Sequence, residues 1–240
     1  MTDTTESLKP PALELRRRLI LAATSALVVP LRVRADLLSS LSSSDATAGI
    51  RTALQRGAEA AVDLLGKTDG FWGNDRVRIP LPDWLAKSEG LLRMLGRKQE
   101  LDDLHLAINR AAEQAVPEAR KLLVGAVKSM TVQDAKGIVS GGDNAGTQYF
   151  EKKTRESLAG RFLPIVTNVT RKSGLAQQYD GVAQKAQSLG LVKEDVSIER
   201  HVTNKALDGL FLMIGDQEKQ IRANPAATGS AILQKVFGGL

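Results

Sequence analysis

The stretch Leu101-Asp102-Asp103-Leu104-His105-Leu106-Ala107-Ile108-Asn109-Arg110-Ala111-Ala112-Glu113-Gln114-Ala115 decides the fold. Leu101, Leu104, His105, Ile108, Ala112 and Ala115 recur at intervals of three and four, the spacing that stacks side chains on one face of an α-helix. The same face continues through Ala119, Leu122, Ala126 and Met130. Pro117 lies inside this run. It has no N–H to donate and its ring crowds the carbonyl four residues back, so a kink or break is predicted near Val116.

Working outward, a loop spans Lys67 to Pro82, with Gly70, Gly73, Pro80 and Pro82 as breakers. Its apolar content (Phe71, Trp72, Val77, Ile79, Leu81) is high for a connector, so it is predicted to pack down against helices. Asp83 caps a short helix ending near Gly96. A helix from about Ala46 to Leu65 precedes the loop, with Ile50, Leu54, Ala58, Ala61 and Leu65 on one stripe and Gly66 as its stop. Beyond Met130, Thr131 with Asp134 reads as a helix start, because the threonine oxygen can accept from the free first-turn amides. Gly141-Gly142 ends that helix, and Asp143 or Asn144 begins the next, which runs to about Phe162. Pro164 opens another, closed by Gly174. A weaker segment covers Gln177–Ser188, Leu189–Asp195 connects, and a long helix spans about Ser197 to Ala223 until Asn224-Pro225 stops it. A last turn or two lies at Ala231–Phe237. No strand-like alternation is longer than Arg76–Leu81, and there is no internal repeat. The fold class is therefore all-α, a single multi-helix domain of about seven to nine helices over residues 46–240.

Composition agrees. Hydrophobic residues are 42% and charged residues 25%, but aromatics only 4%, so the core is built from aliphatic side chains, which suits helix on helix. Without cysteine there are neither disulfides nor thiolate metal sites. The net charge of +6 is partly local: of 33 Lys+Arg and 27 Asp+Glu, residues 1–35 carry six and three, leaving 27 against 24. With few aromatics for base stacking and no basic block, no nucleic-acid partner is expected.

Residues 1–35 read as an address. Arg16-Arg17-Arg18 precedes an apolar run from Leu19 to Val29, then Pro30 and Val33-Arg34-Ala35, the pattern of a signal peptide cleaved after Ala35. The run falls short of the roughly 20 residues that span a bilayer, so no transmembrane span is expected in the mature chain. A periplasmic location is the expectation, by either a general or a twin-arginine route. Residues 36–45, rich in serine, read as a flexible lead-in.

A set of short motifs carries a further likeness. They are Leu65-Gly66, Val77-Arg78-Ile79-Pro80-Leu81-Pro82, Asn109-Arg110-Ala111-Ala112-Glu113 with Ala115, Met130-Thr131 with Asp134-Ala135, and Gly142-Asp143 with Thr147, Tyr149 and Phe150. Lys205-Ala206-Leu207-Asp208-Gly209-Leu210-Phe211, Ile221-Arg222 with Asn224-Pro225, and Lys235-Val236-Phe237 complete the set. Together they resemble the bacterial family catalogued as domain of unknown function 4197, with His201, Asp75 and Thr228 standing where that pattern usually has tyrosine, proline and arginine. The resemblance implies export and a helical domain. It implies no activity, because the family is uncharacterised.

Candidate chemistry is sparse. His105, Asn109 and Glu113 recur every four residues and climb one side of a helix, too poor in nitrogen donors for a metal site and better suited to a buried polar network. Gly141–Thr147 has the glycine spacing of a phosphate loop but lacks its lysine, so it reads as a helix stop followed by a cap. Arg76 and Arg78, alternating in the loop, would share a side in an extended segment and present two guanidinium forks to a carboxylate or phosphate, with Trp72 supplying apolar area; the alternative is that each pairs with a nearby carboxylate or caps a helix C-terminus. Asp208 lies in a helix that is apolar nearly all round from Leu207 to Ile214, which places it in the interior with an Arg or Lys partner. No Gly-x-Ser-x-Gly elbow or nucleophilic triad occurs, no cofactor is implied, and a catalytic set cannot be assembled. The favoured function is a non-enzymatic envelope scaffold binding a partner protein or small anionic ligand through Arg76, Arg78 and Trp72. Asn109, Glu113, Asp134 and Asp208 are then a buried polar network. The alternative is a periplasmic hydrolase or lyase using Glu113, Asp134, Asp208 and Arg78.

Overall fold

In the computed structural model, residues 43–94, 96, 98–172, 179, 197–228, 234, 236 and 237 are described. Helices α1 (Ser43–Leu65), α2 (Asp83–Met94), α3 (Lys98–Ala115), α4 (Ala119–Lys128), α5 (Val132–Ser140), α6 (Ala145–Lys172) and α7 (Ile198–Ala223) succeed one another, and no strand occurs among the described residues. The signal segment, the first part of the lead-in and the Leu189–Asp195 connector lie outside the described residues. So do the Gln177–Ser188 segment apart from Tyr179 and the last turn apart from Gln234, Val236 and Phe237. The serine-rich stretch is not wholly a lead-in, since α1 already begins at Ser43.

Helix α7 is the centre. Its widest contacts are with α6 and α1, and it also meets α3. Burial on it runs through Val202, Ala206, Leu207, Leu210, Phe211, Met213 and Ile214. Its ends match the sequence signals: the Ser197 hydroxyl accepts the Arg200 amide, and Asn224 closes the helix before a 3₁₀ turn at Pro225–Thr228.

The break at Pro117 takes the form of a 3₁₀ turn, Val116–Glu118, between α3 and α4. A turn wound at three residues per turn shifts the phase of the helix after it. The shift here is small: Ala119 and Ala126 are buried as expected, and Leu123 is buried in place of the half-buried Leu122.

Pro164 behaves otherwise than its chemistry suggested. Helix α6 runs through it unbroken. Phe150, Thr154, Leu158, Phe162, Val166 and Thr170 form one buried stripe at intervals of four, in phase on both sides of the proline. A proline in a helix interior costs about 3 kcal/mol. Each large apolar side chain kept buried contributes roughly 1.5–3 kcal/mol. Val166 with partly buried Ile165 and Val169 thus outweighs the break. Pro164 and Gly160, whose carbonyl it leaves without an N–H, are both exposed, where water can take the vacant acceptor.

Candidate functional site

The loop between α1 and α2 is fastened at many points to the helices around it. Its own backbone makes tight turns: the Val77 and Arg78 amides both donate to the Asn74 carbonyl, at 3.1 and 2.8 Å. The Arg76 amide donates to Asn74 Oδ1 at 3.2 Å. Asp69, at φ 64°, occupies the left-handed region that aspartate tolerates better than most residues. Phe71, Val77, Ile79 and Leu81 are buried, so the loop is packed down as its apolar content predicted. Its approach to α7 requires Gly209, where a Cβ would lie 2.9 Å from Phe71 Cε1 and 3.3 Å from Val77 Cβ.

Helix α3 supplies the fastenings through residues spaced by four. Glu113 Oε1 accepts the amides of Phe71 and Trp72, each at 3.1 Å, and Oε2 accepts from Arg110 Nη1 at 2.7 Å. Arg110 Nη2 reaches Asp69 at 2.7 Å, closing a chain of charge from helix to loop. One turn earlier, Asn109 treats Ile79 as a strand neighbour would: Oδ1 accepts its amide at 2.8 Å and Nδ2 donates to its carbonyl at 3.0 Å. Nδ2 also donates to the His105 carbonyl at 2.8 Å. Both side chains are buried with their capacity used, as a buried polar group requires. His105 Nε2 lies 2.9 Å from the Ile79 carbonyl, and its ring meets Trp72 edge-on with centroids 5.0 Å apart.

From α7, His201 Nε2 lies 2.9 Å from the Pro80 carbonyl, and the Asp216 carboxylate pairs with both terminal nitrogens of Arg76. Burial holds both imidazoles below the ordinary histidine range. Nearby Arg78 adds to this for His105, and Lys205 for His201.

Arg76 and Arg78 do not form a pair of forks; each pairs with a carboxylate, the other arrangement that the sequence allowed. Residues 75–77 form a turn, so strand-like alternation does not apply there. Arg76 points to Asp216, whereas Arg78 folds back on its own loop. Arg78 Nε donates to the Trp72 carbonyl at 2.6 Å, Nη2 pairs with Asp75 at 2.8 Å, and the guanidinium sits 5.3 Å over the Trp72 ring.

Two members of the expected buried network lie elsewhere. Asp134 is half-exposed and belongs to a capping box at the start of α5. Its amide donates to the Thr131 hydroxyl, and its carboxylate accepts the Thr131 amide. Those bonds hold its carboxyl below the usual carboxylate range. Asp208 is exposed, not interior. Residues 204, 208 and 212 line a solvent-facing strip of α7 at intervals of four, and the helix buries nearly everything beside them. The expected cationic partner is there, since Arg155 of α6 donates to Asp208 at 2.6 Å across the α6–α7 seam.

A second fastening, not anticipated from the sequence, uses Glu218 of α7. Its Oε1 accepts the Gly146 amide at 2.9 Å, and its Oε2 accepts both the amide and the hydroxyl of Thr147, each at 2.8 Å. These amides are among the first-turn donors of α6 that no helical carbonyl can reach. Arg222 donates to Glu218 Oε1 and, at 2.8 Å, to the Ile138 carbonyl of α5. The Gly-Gly-Asp-Asn-Ala-Gly-Thr stretch is thus a helix stop and start, capped by a distant carboxylate. Gly146 is required there, because a Cβ would lie 2.4 Å from Leu54 Cδ2 and 3.0 Å from Glu218 Oε1. Glu218 also ends a narrow apolar cleft between α1, α5 and α7, lined by Ile50, Leu54, Ile138, Ile214 and Phe237. The only advance signal was a Glu–Arg pair at i, i+4, which looks like any exposed helix pair.

Among the described residues no group of three or more His, Asp or Glu is placed to hold a metal ion, and no helix is long and apolar enough to cross a membrane. The arrangement defines a class: a helical bundle whose long loop is bolted to its surface by buried side chains. Within that class, the chain belongs to the family of proteins of unknown function DUF4197, whose model matches residues 40–238. Among curated proteins and solved structures, none matches it.

Proposed function

We propose that the protein is exported to the periplasm by a signal segment at residues 1–35, and serves there as a non-enzymatic scaffold. The loop around Trp72, Arg76 and Arg78 would present a fixed surface to an envelope partner or small anionic ligand. The observation that supports a scaffold over a hydrolase or lyase is how the candidate catalytic groups are used. Glu113 and Arg78 grip opposite ends of the Trp72 residue, Asp134 closes a helix start, and Asp208 pairs with Arg155. An acid–base site needs such groups aimed at one reacting atom; here each is committed to holding backbone or a neighbouring helix.

Two measurements test this. Intact mass of the chain from its native host should begin at Asp36, and a full-length cytoplasmic product would overturn export. A photo-crosslinking residue in place of Trp72, compared with one in place of exposed Lys121, should give a discrete envelope adduct that Arg78→Glu abolishes. Identical adducts from both positions would overturn the loop as the binding surface.

A further inference from the structure

Residues 119–172, the span of α4 to α6, hold ten Lys and Arg against four Asp and Glu, which leaves 23 against 23 in the rest of the chain. The whole net charge of +6 therefore sits on three helices, and α4 and α5 both pack against α6. No run of basic residues shows this in the sequence, because folding collects the charge. Lys153 Nζ lies 5.9 Å over the Tyr149 ring, and the Tyr149 hydroxyl donates to the Ala126 carbonyl at 2.9 Å, two residues before Lys128 at the end of α4. Lys152 and Lys153 also add to the Thr131 bonds that hold the Asp134 carboxyl low, which sets both beside the start of α5. Val132 and Lys136 follow on one face of α5, four residues apart. We propose that this corner, built on Lys128, Lys136, Lys152, Lys153 and Val132, is a docking surface for an anionic lipid bilayer. It is made from other elements than the loop around Trp72.

The four lysines are exposed, and none enters an ion pair among the described residues, where arginine takes nearly every pair. The acids of the segment do not cancel them. Asp134 is closed in its cap and Glu151 is paired with Arg155, which leaves Asp143 and Glu156. Val132 stands among the lysines with 44% of its surface exposed. The occupant follows from these residue types. Lysine is depleted from the cores of protein interfaces, where arginine and aromatic anchors concentrate. Here the aromatic, Tyr149, is partly buried with its hydroxyl already bonded, and the arginine, Arg51 of α1, is committed to the Met130 carbonyl. The same lack of a free ring disfavours a nucleic-acid strand, whose bases need a stacking face. A bilayer asks less. Cations on long stems follow its anionic headgroups, at about fivefold in affinity for each lysine, and an apolar side chain among them enters the interface.

The chain has no cysteine, so Val132→Cys gives the full chain a single attachment point for an environment-sensitive fluorophore. With vesicles of equal parts phosphatidylglycerol and phosphatidylcholine, its emission should move to shorter wavelength. With phosphatidylcholine alone it should not. The same label at exposed Lys87 of α2 should stay unchanged, which separates docking through this corner from attachment by the cations of residues 1–35. Lys152→Gln with Lys153→Gln should raise the vesicle concentration needed for the response at position 132 by about 25-fold, and added salt should raise it further. Both lysines are exposed, so the variant should keep the melting temperature of the parent chain. Should that pair not fold, Lys128→Gln with Lys136→Gln makes the same comparison. No shift at position 132, equal shifts at 132 and 87, or an undiminished response in the lysine variant overturns the proposal. So does an equal shift at equal affinity with polyglutamate in solution, which would assign the corner to an acidic polypeptide.

Discussion

Glu113 and Glu218 perform the same act in two parts of the molecule: each accepts two consecutive backbone amides and is steadied by an arginine on its own helix. Their surroundings differ. Arg222, beside Glu218, is 11% exposed, bonds a third helix through the Ile138 carbonyl and lies 5.0 Å from the Phe237 ring. Arg110, beside Glu113, is 31% exposed and shares itself with Asp69, which is over half exposed. Glu218 joins α5, α6 and α7 from inside, whereas Glu113, as deeply buried, fastens a loop beside an arginine that water reaches. The same chemistry therefore serves as a permanent joint in one place and as a surface fitting in the other.

Removing Glu218 should give the largest effect. Glu218→Ala leaves two first-turn amides, a hydroxyl and a nearly buried guanidinium without their partner, and breaking a buried pair from one side costs about 3–5 kcal/mol. Denaturant midpoints should show this, and a loss no greater than that of the loop variants would erase the distinction between the two clamps. Gly146→Ala attacks the same joint by overpacking and should cost about 1–3 kcal/mol.

The loop clamp should yield less. Glu113→Ala or Asn109→Ala should each cost about 1–3 kcal/mol, the penalty for a buried donor or acceptor left unmade. Hydrogen exchange should rise at Phe71, Trp72 and Ile79 before it rises in α6. Unchanged midpoints in both variants would mean that water replaces these side chains at no cost.

The contrast also marks how far the sequence is legible. Helix positions obey period and punctuation, so α3, the break at Pro117, the Thr131–Asp134 start and both ends of α7 are visible as local signals. Asn109 and Glu113 stand out because they climb an apolar face. Glu218 does not, because its partners Gly146 and Thr147 lie 72 and 71 positions away and nothing local sets it apart from an exposed pair. The unbroken α6 is illegible for the same reason: what outweighs Pro164 is packing against α3 and α7, which a local breaker signal cannot register. Asp208 misleads differently, since an apolar-looking helix still leaves one open strip.

A smaller change is expected at the α5 start, which neither clamp touches. Thr131→Ala removes a reciprocal cap and should cost about 1 kcal/mol. The bonds from Thr131 hold the Asp134 carboxyl below its ordinary value, so its contribution is present above the unfolded carboxylate value and disappears as pH falls through the folded one. Stability measured from neutral pH to below about pH 4 should fall less steeply in Asp134→Asn than in the parent chain.

The smallest effect is expected at Arg76, and it sharpens the comparison most cleanly. Arg76 with Asp216 joins the loop to α7, and Arg222 with Glu218 is a pair within α7 whose arginine also reaches the Ile138 carbonyl of α5. They differ in exposure: the Arg76 side chain is 57% exposed against 11% for Arg222. An exposed pair trades one set of water contacts for another, and salt screens what remains. Arg76→Ala should therefore lower the melting temperature little at physiological ionic strength, because the Asp216 side chain, 18% exposed, keeps some water. Arg222→Ala should lower the melting temperature by several degrees, since the Glu218 charge stays buried with one partner fewer and the Ile138 carbonyl loses its donor. Equal shifts in the two variants would mean that the pairing itself, not its burial, sets the strength of these joints, and the division between an interior joint and a surface fitting would fall with it.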